Sequence, residues 1–144
     1  MQWRALDASR PVWIEDESRR IGRLVAPGGL WAQMQQAEVF VLDVPFEVRV
    51  ERLVTAYGRY DTARLVEAIG AIGKRLGSLR AKQARQAVCD GVLYDACRLL
   101  LAYYDTAYRY HLEQRDTAKR RRVLLPASPT PDAFADQLLE TTLV

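Results

Sequence analysis

The residues with the most obvious chemical potential lie in one short polar segment, 15–20, where three acids are followed by a serine and two arginines. This segment follows a short apolar run, Val12–Glu15, whose composition predicts a strand. In open α/β sheets, ligands bind beyond the carboxyl ends of the strands. Asp16 and Glu17 are therefore candidates to hold Mg²⁺ or a water, and the arginines are candidates to bind phosphate oxygens. A self-neutralising surface turn explains the same charges equally well.

Basic residues are concentrated in two further stretches, although the net charge is only +3, with 21 Lys and Arg against 18 Asp and Glu. The first lies between Glu67 and Asp90 and contains no acid: Lys74, Arg75, Arg80, Lys82 and Arg85. The second is opposed only by Asp116: Arg115, Lys119, Arg120, Arg121 and Arg122. Two basic patches on a weakly basic chain indicate an anionic partner such as phosphate or RNA. A solvated helix face and a basic turn are the alternative interpretation.

Other kinds of site are not predicted. His111 is the sole histidine, and the two cysteines, Cys89 and Cys97, lack the spacing of a zinc site. Both cysteines fall in predicted helix about 12 Å apart, which is too far for a disulfide. The pair Gly73-Lys74 continues with Arg75 rather than Ser or Thr, so it does not form a phosphate-binding glycine loop. We therefore expect neither a metal site built from His or Cys nor a nucleotide cradle.

The elements that must position these residues are predicted to alternate between strand and helix up to residue 44 and to be mainly helical after it. A strand at Val12–Glu15, a short helix over 27–36 and a buried strand over 39–44 predict a βαβ unit and an α/β fold with a partial parallel sheet. A chain of 144 residues is long enough for one domain, with 1–58 as the βαβ portion and 59–144 as a mainly helical continuation.

The later helices have clear start and stop signals. Pro45 begins a helix that Gly58 ends, and Asp61 caps the next one. Glycines at 70, 73 and 77 predict either a break in that helix or a place where something approaches the backbone. Helices are expected over 80–89 and 92–104, a late strand over 123–125, and a final helix that begins at Thr130. No apolar run is long enough for a membrane helix and no secretory signal is visible, so a cytoplasmic location is expected.

A family resemblance emerges from motifs that occur in order over residues 10–110. The most specific is Arg10-Pro-Val-Trp-Ile-Glu-Asp-Glu-Ser-Arg-Arg-Ile-Gly22. The others are Leu42-Asp-Val-Pro45 with Arg49 and Arg52, Lys74-Arg-Leu-Gly77, and Leu99-Leu-Leu-Ala-Tyr-Tyr-Asp105 with Tyr108. This series resembles bacterial tRNA 2-selenouridine synthases. Thr106 departs from the proline that usually follows the last motif, so the family's turn geometry is not implied there.

The resemblance implies more than this sequence contains. Members of that family carry a rhodanese-like domain with an essential cysteine, followed by a P-loop domain. They convert wobble 2-thiouridine in tRNA to 2-selenouridine through an S-geranylated intermediate, with geranyl diphosphate and selenophosphate as substrates. Because this sequence resembles only the part after the glycine loop, we expect a C-terminal fragment that is inactive alone and binds no cofactor by itself. The expected partners are tRNA and the N-terminal part of the same enzyme.

The resemblance also implies roles for particular residues. Asp16 and Glu17 resemble the acidic end of a strand that handles metal or water beside phosphates, and they are the catalytic candidates. The tyrosines Tyr103, Tyr104 and Tyr108 are candidates to contact a base or a prenyl chain, although half-buried packing explains them too. The candidates that it implies for binding phosphate or tRNA are Arg19, Arg20, Arg23, Arg49, Arg52, Lys74 and Arg75. The second basic stretch adds Arg120, Arg121 and Arg122 as candidates from charge alone.

A second function remains open at this stage. The chain could be a non-catalytic α/β module that binds RNA or a protein through its basic faces. In either case, a sheet that lacks strands and a covering helix would expose an edge, so self-association is also expected.

Overall fold

The computed structural model of the chain describes residues 7, 9, 11–16, 19–21, 23–124 and 130–142. The chain divides into two compact units, Met1–Val39 and Phe40–Val144. The fold class is α/β with small sheets and mostly helical content, which confirms the class expected from the sequence.

The first unit contains a small hairpin and a helix. Strand β1 (Arg20–Ile21) pairs in antiparallel register with β2 (Leu24–Val25), and Arg23 lies in the turn between them. Helix α1 (Gly28–Gln36) begins after Pro27, as the sequence predicts, because proline has a suitable φ and needs no donor at a helix start.

The prediction of a strand at Val12–Glu15 is wrong. These residues have no regular secondary structure, and the apolar side chains of Val12, Trp13 and Ile14 are 44–48% exposed. A β-rich run becomes a strand only when a neighbour satisfies its backbone and covers its side chains, so composition alone misled the prediction. The βαβ unit therefore lacks the first strand that was expected for it.

The second unit holds most of the helices. Its elements, with β3 beginning one residue before the boundary, are β3 (Val39–Asp43), α2 (Phe46–Tyr57), α3 (Thr62–Leu76), α4 (Ser78–Cys89), α5 (Leu93–Glu113), a 3₁₀ turn (Thr117–Lys119), β4 (Arg120–Leu124) and α6 (Pro131–Thr142). Strands β3 and β4 are neighbours in a two-stranded sheet. The late strand predicted over 123–125 is thus present, but it begins three residues earlier, within the second basic cluster.

The core of this unit is helical. Helix α4 packs between α3 and α5, and α2 packs on α5. The buried residues of this core are Ile69, Leu76, Ala81, Ala84, Val88 and Ala96. The alanines of α4 are small enough to let its backbone lie close to both neighbours. The face of α3 that carries Ile69 and Leu76 is accordingly the one that packs on α4.

Local signals set the helix ends as expected. The Asp61 side chain accepts a hydrogen bond of 2.8 Å from the Arg64 amide at the start of α3. The single residue between α3 and α4 is Gly77, with φ of 82° and ψ of 148°, a conformation that is essentially restricted to glycine. The break predicted near 73–77 is therefore at Gly77. Gly91, with φ of 76°, separates α4 from α5, and α5 continues nine residues beyond the predicted Tyr104.

Candidate functional site

Arg49 is the most firmly held of the predicted phosphate-binding residues. Its two terminal nitrogens donate to the two carboxylate oxygens of Asp105 on α5, at 2.6 and 2.8 Å. Its Nε donates at 3.0 Å to the carbonyl oxygen of Val44, just after β3. The hydrogen bonds to Asp105 are the main cause of a raised Arg49 pKa, with desolvation acting in the opposite direction. In this geometry Arg49 joins the end of β3 to α5, and much of its donor capacity is already used.

A second polar cluster lies beside it, between the first turns of α2 and α5. Glu47 accepts a 2.6 Å hydrogen bond from the Tyr94 hydroxyl and is also ion-paired with Arg98. The hydrogen bond from Tyr94 is the main cause of a lowered Glu47 pKa. The guanidinium groups of Arg49 and Arg98 both lie over the Phe46 ring, 5.7 and 5.5 Å from its centroid. This cluster fastens α2 to α5 and holds Arg49 in place.

The first basic stretch forms a groove between α3 and α4. The groove has a volume of about 620 Å³, and its lining includes Lys74, Lys82, Arg85 and Cys89. All three cations are exposed, and no ion pair involves them among the residues that the structure describes. The structure therefore brings one predicted site residue, Lys74, together with two cations that the sequence prediction counted only as part of a basic cluster.

The remaining cations of the first stretch have other surroundings. Arg75 is exposed in the last turn of α3 and does not line the groove. Arg80 lies over the ring of Tyr103, 5.9 Å from its centroid. Lys74 and Arg75 also lie at a helix carboxyl end, where positive charge stabilises the helix regardless of any ligand.

The three predicted contact tyrosines are not equivalent. Tyr103 is half-buried and packs against the helical core, with its ring edge-on to Tyr104 at a centroid distance of 5.5 Å. Tyr104 and Tyr108 are 40% and 51% exposed and lie one turn apart on α5. The packing interpretation thus fits Tyr103, and the exposed pair is the better stacking candidate.

The acidic candidates belong to the first unit. Asp16 is exposed and lies in the irregular segment 11–16, so it lacks the strand support on which its prediction depended. Glu17 lies outside the described residues. The arginines of the hairpin are exposed, and Nε of Arg19 donates to the Ala26 carbonyl oxygen at 3.4 Å. Arg20 lies on β1 and Arg23 in the turn that follows it.

The second basic cluster is partly incorporated into the fold. Arg115 is 8% exposed, and the Arg120 guanidinium donates to the carbonyl oxygens of Glu113 and Arg115 at the end of α5. Arg120 therefore satisfies carbonyls that the helix leaves without partners. Arg121 is exposed, as is Arg52 on α2, whereas the Arg122 side chain lies outside the described part of the structure.

Sequence reasoning missed the residues that hold Arg49. Asp105 was named only as the end of a motif and not as the partner of Arg49, and the contacts of Glu47 with Tyr94 and Arg98 were not predicted. Contacts between residues about fifty positions apart leave no signal in a single sequence. Lys82 and Arg85 did carry a signal, because they occur one turn apart in a stretch without acids.

The described residues contain no group of three or more His, Cys, Asp or Glu side chains that could hold a metal ion. They also contain no helix long and apolar enough to cross a membrane. What the second unit offers is cationic and aromatic surface, with side chains suited to binding an anion.

Comparison with known proteins adds an independent observation. The profile of the family described as tRNA 2-selenouridine synthase AAA domain matches residues 2–124. A tRNA 2-selenouridine synthase of Shewanella woodyi is 33% identical over 144 aligned positions, which cover 80% of this chain and 38% of that protein. No solved structure matches the chain.

Two further relatives agree. Proteins of the same name from Psychromonas ingrahamii and Shewanella frigidimarina are 30% and 32% identical, each over 71% of this chain and 36% of its own length. The chain thus spans little more than a third of the length of the relatives it matches. Because the family profile covers most of its residues, the chain belongs to the tRNA 2-selenouridine synthase AAA-domain family.

Proposed function

We propose that this chain is part of an enzyme that modifies tRNA by replacing the sulfur of wobble 2-thiouridine with selenium, and that its contribution is tRNA binding. The observation that carries the proposal is the family match over residues 2–124. An acid-free stretch of sequence that forms a cationic groove supports the binding part, since RNA recognition begins with phosphate neutralisation.

We also propose which compounds supply the transferred groups and which residues bind them. In the complete enzyme, geranyl diphosphate would supply the prenyl group of an S-geranylated intermediate, and selenophosphate would supply the selenium. Asp16 and Glu17 would handle a metal or water beside the diphosphate, with Arg19, Arg20 and Arg23 on its oxygens. The exposed rings of Tyr104 and Tyr108 are suited to stacking on a base or covering an apolar chain.

We do not expect these residues alone to complete a reaction cycle. The sequence contains no glycine loop of the kind that cradles nucleotide phosphates. The segment with the catalytic candidates also lacks the strand that would hold it rigid, and transition-state stabilisation requires preorganised groups. The activity therefore belongs to a longer protein in which this chain supplies part of the substrate surface.

The experiment is a turnover assay with the purified chain and tRNA that contains 2-thiouridine. Geranyl diphosphate or selenophosphate is added, and the nucleosides are analysed by mass spectrometry. We expect tRNA to be retained by the protein and neither geranylated nor selenated nucleoside to form. Either product would show that catalysis does not need further parts. Absence of tRNA retention would favour the other function class, a module that binds a protein.

A further inference from the structure

The groove between α3 and α4 is long, is lined by cations, and is bordered on α3 by glycines that leave space beside the helix backbone. Its lining on α4 extends from Ser78 to Cys89, about 16 Å at 1.5 Å per residue. Lys82 and Arg85 are separated by one turn along this length, and Lys74 faces them from α3. Lys82 and Arg85 are thus about 4.5 Å apart along the helix axis, and the groove continues beyond them toward Ser78 and Cys89.

Within the described residues, no acidic side chain is ion-paired with the cations of the groove. No acid occurs between Glu67 and Asp90, which includes the whole of α4 and the last two turns of α3. Among the residues that the structure describes, none forms an ion pair with Lys74, Lys82 or Arg85. Three exposed cations without neutralising partners attract an anion from solution.

Glycines leave the wall of α3 open. Among the described residues, a Cβ atom added at Gly70 would meet nothing within 4 Å, and one at Gly73 would meet only Ala81, at 3.7 Å. Gly73 thus lies at the close approach of the two helices, while Gly70 leaves room along the groove wall. Glycine lowers helix stability by up to about 1 kcal/mol relative to alanine. Packing within the protein does not require a glycine at position 70. Close access of a ligand to the helix backbone would require one.

We infer that this groove binds the ribose–phosphate backbone of an RNA strand. This inference rests on the proposed function and assigns its binding surface to named residues. The groove extends about 16 Å along α4, which is long enough for more than one phosphate of an extended polyanion. A single diphosphate would occupy only part of that length. Lys82 and Arg85 contact successive phosphates from α4, and Lys74 contacts the strand from the opposite wall.

The test uses a short fluorescent oligouridylate and the full chain. Lys82→Glu combined with Arg85→Glu removes the cations of α4 from the groove. The matched control is Arg59→Glu combined with Arg109→Glu, which changes the net charge equally at exposed positions outside the groove. Circular dichroism and thermal melting establish that all three proteins are folded.

We expect the groove variant to bind the oligouridylate at least tenfold more weakly than wild type at about 50 mM salt, and the control to stay within about threefold of wild type. The salt slope should also flatten by about 0.7 for each lost phosphate contact. Equal affinity of the groove and control variants would overturn the inference, as would no binding by wild type.

Cys89 provides a second measurement that does not depend on charge reversal. Its thiol is exposed at the groove, whereas Cys97 is 4% exposed and its pKa is raised by burial. Oligouridylate should slow alkylation of Cys89 in wild type and leave Cys97 unaffected. Protection by inorganic diphosphate but not by oligouridylate would overturn the inference in favour of a small-anion site.

The two proposals can fail separately. If wild type binds tRNA and the groove variant binds it equally well, the groove assignment is wrong and the proposed function stands. If wild type binds oligouridylate through the groove but does not bind tRNA, the proposed function is wrong and the groove assignment stands.

Discussion

Arg49 has two candidate roles, binding phosphate and joining two elements of the fold. The sequence places it four residues after Pro45, where the family resemblance implies a phosphate-binding arginine. The structure shows its guanidinium in a two-point ion pair with Asp105 and a third hydrogen bond to Val44. Because this geometry joins α5 to the end of β3, we expect Arg49 to position the fold rather than bind phosphate directly.

The substitution Arg49→Lys separates these roles. Lysine keeps the charge but cannot make the two-point contact with Asp105. The side chains are 33% and 26% exposed, so solvent weakens the pair. We expect the free energy of unfolding to fall by about 1–2 kcal/mol in urea denaturation, with tRNA affinity within about twofold of wild type. The control Arg109→Lys should change neither. Unchanged stability with clearly weaker tRNA binding would instead identify Arg49 as a phosphate ligand.

At the scale of elements, the sequence predicted helices far better than the first strand. Pro45, Asp61 and Gly91 act through their own backbone or side chain, so their effects on helix ends are visible in one sequence. A strand depends on a neighbouring strand elsewhere in the chain, and residues 12–14 belong to no strand in the structure. The same holds for the candidate site. The basic stretch of α4 could be predicted from the sequence, whereas the contacts of Glu47 with residues of α5 could not.

The contact between α2 and α5 depends on the charge of Glu47. A lowered carboxyl pKa means that the ionised form is favoured in the folded protein, chiefly through the Tyr94 hydroxyl. This contribution is present above the ordinary pKa of about 4.5 and is lost as the pH falls through the lowered value. The Tyr94 pKa is raised by the same hydrogen bond, so its contribution is present below about 10.0 and is lost as the pH rises through the raised value.

The predicted consequence is a difference in acid sensitivity between wild type and Tyr94→Phe. Phenylalanine keeps the ring but removes the hydrogen bond to Glu47. In urea unfolding from pH 7 downward, wild type should be the more stable protein at neutral pH, and the difference should narrow below about pH 4.5. Tyr110→Phe, an exposed tyrosine on the same helix, is the control and should parallel wild type. A difference that is constant with pH would show that Glu47 does not couple to Tyr94.

At the scale of the whole molecule, the charge distribution matters more than the net charge. A net charge of +3 predicts little, but the acid-free stretch between Glu67 and Asp90 places cations along one groove. The second basic cluster differs, because Arg115 is buried and Arg120 bonds to carbonyl oxygens of the fold. The sequence predicted two basic patches, and the structure leaves the first as the more exposed surface for a nucleic acid.

We propose that the chain binds tRNA through its exposed cations, and a salt titration of the affinity tests this proposal. The affinity of the wild-type chain for tRNA is measured by fluorescence anisotropy between about 50 and 200 mM salt. We predict a Kd of about 1–100 µM near physiological salt and a logarithmic affinity that falls linearly as salt rises, because each neutralised phosphate releases counterions. An affinity that does not change with salt, or no binding at about 50 mM salt, would contradict tRNA binding through charge.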